Sequence, residues 1–200
     1  MEISTSQVKQ LRETTGAGIL DCRKALESTG GDMEKAVVIL REKGLAAAAK
    51  RADRVTKDGT IELYTHGGGR VGVMVEVNCE TDFVARTEEF RHFAHEIALQ
   101  IAASSPRYLD IPDVPAEVAE EEKSIAANRA KGEGKPEGVI DRIIAGRLEK
   151  FYQETCLLQQ PYIRDETIKV GDLVKQTIAA TKENVTIRRF VRWELGADGK

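Results

Sequence analysis

Cysteine is scarce in this chain. Cys22, Cys79 and Cys156 are an odd set, far apart, with no C-x-x-C pair. Such scatter fits thiols kept reduced better than a disulfide framework or a thiolate zinc site. Long apolar runs are missing too. None approaches the roughly 20 residues that span a bilayer, and the start, Met1-Glu2-Ile3-Ser4, lacks the basic-then-apolar layout of a secretion signal. A cytoplasmic protein is expected. Nor is there an excess of one charge. The 30 basic and 33 acidic residues leave a formal charge of −3, which argues against an affinity built on neutralising phosphates. With 200 residues, 41% hydrophobic and 32% charged, the chain suits one large domain, or two of which one is small.

Motifs of covalent chemistry are also wanting. His92 and His95 stand i, i+3, whereas the H-E-x-x-H metalloprotease pattern needs i, i+4 and a glutamate beside the first. No third ligand is evident, so a structural or solvated pair is expected. The only other histidine is His66, and no G-x-S-x-G occurs. Gly132-Glu133-Gly134-Lys135 resembles a phosphate loop in part, but Pro136 occupies the place of the metal-binding hydroxyl. No catalytic residue, metal or cofactor is expected, and the chain itself is not expected to bind nucleotide. Arg188, Arg189 and Arg192 are a candidate RNA contact or a solvated strand face; the second is the plainer reading.

What is present is periodicity. Ser4 with Gln7 forms a capping-box pattern ahead of Val8 and Leu11. Thr15-Gly16-Ala17-Gly18 interrupts, and Ile19, Cys22, Ala25 and Leu26 are candidate buried positions of a second helix. Gly30-Gly31 ends it, Asp32 caps a third, and Met33, Ala36, Val37 and Leu40 form its stripe, closed at Gly44. Leu45 to Lys57 reads as a charged helical linker. From Gly59 the rhythm becomes alternating. Ile61, Leu63 and Thr65, a Gly67-Gly68-Gly69 turn, then Val71, Val73, Val75 and Val77 predict an antiparallel hairpin. Phe90, Phe93, Ala94, Ile97, Ala98 and Ile101 predict the helix that covers it. Helices follow over 116–131, about 137–153 and from Val170 to Ile178, with a loop at Gln160-Pro161. A last strand runs from Val185 to Leu195, its phase slipping at Arg188-Arg189. The fold class is α+β: a three-helix head over 1–54, then a body over 55–200 with a small antiparallel sheet packed by helices.

One segment stands apart: Asn78-Cys79-Glu80-Thr81-Asp82-Phe83-Val84-Ala85-Arg86. Thr81 can cap the apolar helix and Asp82 can complement its dipole. Phe83 then lies in a first turn at the sheet edge. Core packing and an interface anchor are both open to it, because spacing cannot separate them and aromatics dominate interface hot spots.

Two segments together narrow the reading. Leu11-Arg12-Glu13-Thr14-Thr15-Gly16-Ala17-Gly18-Ile19-Leu20-Asp21-Cys22-Arg23-Lys24-Ala25-Leu26 and Glu76-Val77-Asn78-Cys79-Glu80-Thr81-Asp82-Phe83-Val84-Ala85-Arg86 resemble the two signatures of the elongation factor Ts family. Gly146 to Phe151 with Gln160-Pro161-Tyr162, and Arg189-Phe190 to Gly196, resemble its later segments in family order. The resemblance implies a ubiquitin-associated-like head, an α+β core, and a partner, the GTPase elongation factor Tu. It implies guanine nucleotide exchange in translation elongation, in which the factor binds the GDP form, disturbs the Mg²⁺/phosphate site and promotes GTP loading, with no covalent chemistry. It places Thr81, Asp82, Phe83 and Val84 at the partner's magnesium region and Arg12, Ile19 and Leu20 of the head on its nucleotide domain. The chain is similar to the short members, which lack a duplicated core and pair as homodimers. Val191 stands where some of these have a cysteine, so such a dimer here is noncovalent, with Val191, Trp193 and Leu195 as part of its interface. Neither a nucleic acid nor a membrane is implied as a partner.

Overall fold

Ser4 opens helix α1 (Thr5–Thr15) with a complete capping box. The Gln7 N–H donates to the Ser4 hydroxyl, and the Ser4 N–H donates to the Gln7 side chain. Gly16 ends it at φ 65°, a left-handed conformation that glycine adopts without steric cost. Helices α2 (Ile19–Ser28) and α3 (Met33–Ala49) follow, the latter capped by Asp32, which accepts from the Lys35 N–H. Val8, Leu11, Cys22, Ala25, Leu26, Ala36 and Leu40 close one buried cluster among the three. The computed structural model describes residues 3–197.

Strands β1 (Asp58–His66) and β2 (Val71–Cys79) flank the glycine turn, and β5 (Thr186–Glu194) lies beside β2, giving an antiparallel sheet of order β1-β2-β5. Short helix α4 (Asp82–Ala85) precedes α5 (Glu88–Ser104). Helices α6 (Ala116–Gly132) and α7 (Glu137–Thr155) form a helical hairpin. Strands β3 (Pro161–Tyr162) and β4 (Asp165–Lys169) make a second, two-stranded antiparallel sheet before α8 (Val170–Thr181). The α+β class is as the periodicity gave it.

By packing, the chain divides into two compact units. The first comprises the chain up to Ile61, Glu76–Ala94 and Asp172–Arg188. Here α8 lies against the three-helix head: a Cβ on Gly44 would stand 3.1 Å from the Ala179 Cβ, and one on Gly16 would stand 3.6 Å from that of Ala180. Gly44 therefore does not end a helix. It sits inside α3, where glycine costs about 1 kcal/mol relative to alanine, and its missing side chain admits the neighbouring helix. The proposed linker from Leu45 is correspondingly helical only to Ala49.

The second unit comprises Glu62–Val75, His95–Gly171 and the chain from Arg189. The His95 ring of α5 pairs with Glu62 of β1 at 2.9 Å, and Arg192 of β5 donates to the Ala102 carbonyl of α5 at 3.3 Å. Helix α5 thus lies on the sheet face that buries Val73 and Val75. The opposite face leaves Leu63, Met74, Val191, Trp193 and Leu195 exposed. In β5 the inward set is Ile187 and then Phe190 and Arg192, so the alternation slips at Arg188-Arg189 as the sequence indicated. The loop expected at Gln160-Pro161 is instead the start of β3. Its pairing is held by a polar network on the buried Glu96 carboxylate: Tyr162 donates to it at 2.6 Å, and Arg164 grips both of its oxygens at 2.9 and 3.1 Å.

Candidate functional site

All seven residues singled out from the sequence fall in the first unit. Thr81 accepts from the Val84 N–H at 3.4 Å and so caps a helix. That helix is the four-residue α4, not the long apolar one expected. Thr87 caps α5 instead, accepting from the Phe90 N–H at 3.2 Å. The correction has a consequence for Phe83. Helix α4 buries Ala85 and turns Phe83 outward, 81% exposed. The core alternative for this ring is thereby excluded. Asp82 lies beside it, paired with Arg86 at 2.9 Å, and Val84 is half-buried.

A single turn of helix cannot hold itself in water, because nucleation costs more than one hydrogen bond returns. The support comes from the corner between α8 and β5. One oxygen of Glu183 accepts the backbone N–H groups of Glu80 and Thr81 at 3.1 and 3.0 Å, and the other accepts the Thr81 hydroxyl at 2.6 Å. The exchange is mutual, for Glu80 accepts the Asn184 N–H, and Asn184 donates onward to the carbonyls of Ala52 and Arg54. Hydrogen bonds to an ionised group contribute roughly 1.5–3 kcal/mol each, so the carboxylate outweighs α4's own helical bonds in fixing the loop. Beneath it, burial and then the Glu183 charge push the Cys79 thiol up to about 11, which keeps it protonated and unreactive at neutral pH. Glu183 and Asn184 gave no sequence signal: they lie about a hundred positions from the loop they hold.

On the head, Leu20 is 72% and Ile19 is 56% exposed, and Arg12 is exposed at the end of α1. Ile19 was a candidate buried position, and the structure overturns that. It opens α2, one turn before the fully buried Cys22, beyond the reach of the three-helix core. The Asp21 carboxyl beside it is held below its ordinary range by a hydrogen bond from Lys43.

Several of the other candidates are paired within the chain. His95 is paired with Glu62 and stacks edge-on to Tyr64. Arg188 bridges to Glu76 at 3.6 Å and Arg192 to Glu194 at 2.8 Å, which disfavours a phosphate-binding basic face. Among the described residues no group of three His, Cys, Asp or Glu side chains is placed to hold a metal ion, and no helix is long and apolar enough to cross a membrane.

Residues 6–197 match the family described as Elongation factor TS. The chain belongs to the elongation factor Ts family. It is 61% identical over 194 residues to Elongation factor Ts of Caldanaerobacter subterraneus subsp. tengcongensis, covering 97% of each chain. It is 56% identical over 196 residues to Elongation factor Ts of Coprothermobacter proteolyticus, covering 98% of this chain and all of that one. Elongation factor Ts of Carboxydothermus hydrogenoformans is 57% identical over 194 residues, 97% of this chain and 89% of that one. The two signature segments that carry the family resemblance hold the exposed Phe83 ring and the exposed Arg12, Ile19 and Leu20 side chains.

Proposed function

We propose that the chain is a guanine nucleotide exchange factor for elongation factor Tu, acting in the cytoplasm during translation elongation without catalysing a covalent step. The observation that carries this reading is Phe83: a nearly fully exposed aromatic ring on a one-turn helix anchored by three hydrogen bonds to one carboxylate. Burying such a ring in a partner is worth roughly 1.5–3 kcal/mol, and its rigid mount means little ordering entropy is lost on binding.

A GTPase holds GDP through a phosphate loop and a Mg²⁺ that bridges phosphates. In this reading Phe83, flanked by Thr81, Asp82 and Val84, inserts beside that metal site. Asp82 sets the register by exchanging its Arg86 pairing for bonds to the partner. Arg12, Ile19 and Leu20 anchor on the nucleotide domain, with residues 1–54 acting as a ubiquitin-associated-like head and 55–200 as the body. Linkage makes the effect reciprocal: the factor weakens GDP by the ratio by which GDP weakens the factor. GTP then displaces it. The apolar sheet face of Leu63, Met74, Val191, Trp193 and Leu195 serves a noncovalent homodimer.

The test is release of labelled GDP from elongation factor Tu into excess unlabelled nucleotide. Substoichiometric amounts of the chain are expected to accelerate release with repeated turnover. Release at the spontaneous rate at every concentration of the chain removes the reading.

A further inference from the structure

We propose that Glu183 is the positioning residue of the exchange tip, and that the α8–β5 corner it occupies sets where Phe83 stands relative to the head. The inference rests on the exchange reading above and extends it to residues outside both signature segments.

Helix α8 touches the head through Asp172, which pairs with Arg41 of α3 at 3.5 Å, at Ala179 under Gly44 of α3, and at Ala180 beside Gly16 at the end of α1. One turn later the chain reverses at Lys182, whose φ of 62° is in the left-handed region that non-glycine residues rarely occupy. That reversal delivers Glu183 to the loop before α4. There its carboxylate takes both consecutive backbone N–H groups and the hydroxyl of Thr81. Local strain of this kind persists only where the surroundings over-determine it, and here they do: Asn184, the next residue, is tied to Glu80, Ala52 and Arg54. Rigid packing therefore runs from the Gly16-Ala17-Gly18 turn that leads into Ile19 and Leu20, through α8, to Thr81, the residue that caps α4. The two proposed partner-binding surfaces are thus held at a fixed spacing by an element outside both signature segments.

Removing the carboxylate leaves the head surface intact, so the complex still forms. What is lost is the placement of the ring, and binding energy realised only at the moment of release shows in the rate at saturation. The experiment measures labelled-GDP release from elongation factor Tu against concentration of wild type, Glu183→Gln, Glu183→Ala, Phe83→Ala and the Glu183→Ala/Phe83→Ala double variant. Amide hydrogen exchange is followed at Glu80 and Thr81. The expected result for Glu183→Ala is a saturating rate about tenfold lower, with a smaller change in the half-saturating concentration and faster exchange of both amides. Glu183→Gln, which keeps one oxygen acceptor and the chain length, falls between and serves if the alanine variant loses its fold. Because Glu183 acts through the tip, the double variant is no slower than Phe83→Ala alone. A slow Phe83→Ala beside a Glu183→Ala and a Glu183→Gln of wild-type saturating rate overturns this role alone, as does an additive loss in the double variant. A wild type that does not accelerate release overturns the exchange reading and this role with it.

Discussion

Phe83 and Leu20 both expose apolar surface, and the proposed function gives them different roles that kinetics separate. In the proposed function Leu20 belongs to the head and supplies affinity. Leu20→Asp is expected to raise the half-saturating concentration in GDP-release assays about tenfold while leaving the rate at saturation near wild type. A fall in the saturating rate with unchanged affinity would reassign it. Neither residue's exposure was legible from spacing. Phe83 sits where a helix begins, and both faces of a first turn look alike in sequence. Ile19 stands three residues before Cys22, on the periodic inner face, yet the core ends before reaching it. Family resemblance identified the tip; geometry turned it outward. Glu183 was invisible, because a carboxylate that caps a loop a hundred residues away has no local pattern.

Elements were legible where a period was long. The hairpin, α6, α7 and α8 were expected near their observed bounds, and α5 near its observed end though not its start at Glu88, since one buried face repeats over many residues. The pairing of β3 with β4 was missed, being a few residues long and held by side chains from α5. Its lock gives a prediction. Arg164→Met leaves the buried Glu96 carboxylate without its two guanidinium donors, and a lowered denaturation midpoint is expected. Unchanged stability would mean that water replaces the arginine without cost. At the foot of β1, Gly59 has φ 152°, and an added Cβ would lie 2.1 Å from the Val77 carbonyl oxygen. Backbone cannot yield as a side chain does. Gly59→Ala is therefore expected to destabilise by about 2 kcal/mol or more, read as a lowered midpoint in urea, whereas a wild-type midpoint would show the strand free to shift.

At the scale of the whole molecule, the proposed function assigns the sheet's outer face and the exchange tip to separate contacts. Trp193, 78% exposed, is the largest apolar side chain on the former. Trp193→Glu is expected to convert a dimer to a monomer in sedimentation or light scattering; a wild type that is already monomeric at micromolar concentration contradicts the noncovalent dimer. The rest of the account depends on a rigid aromatic ring loosening the grip on GDP in another protein. Its most direct test is the rate of labelled-GDP release from elongation factor Tu at saturating Phe83→Ala. The account predicts a rate lower than wild type by roughly tenfold or more, with circular dichroism and thermal midpoint unchanged because Phe83 is 81% exposed. A saturating rate equal to that of wild type contradicts it.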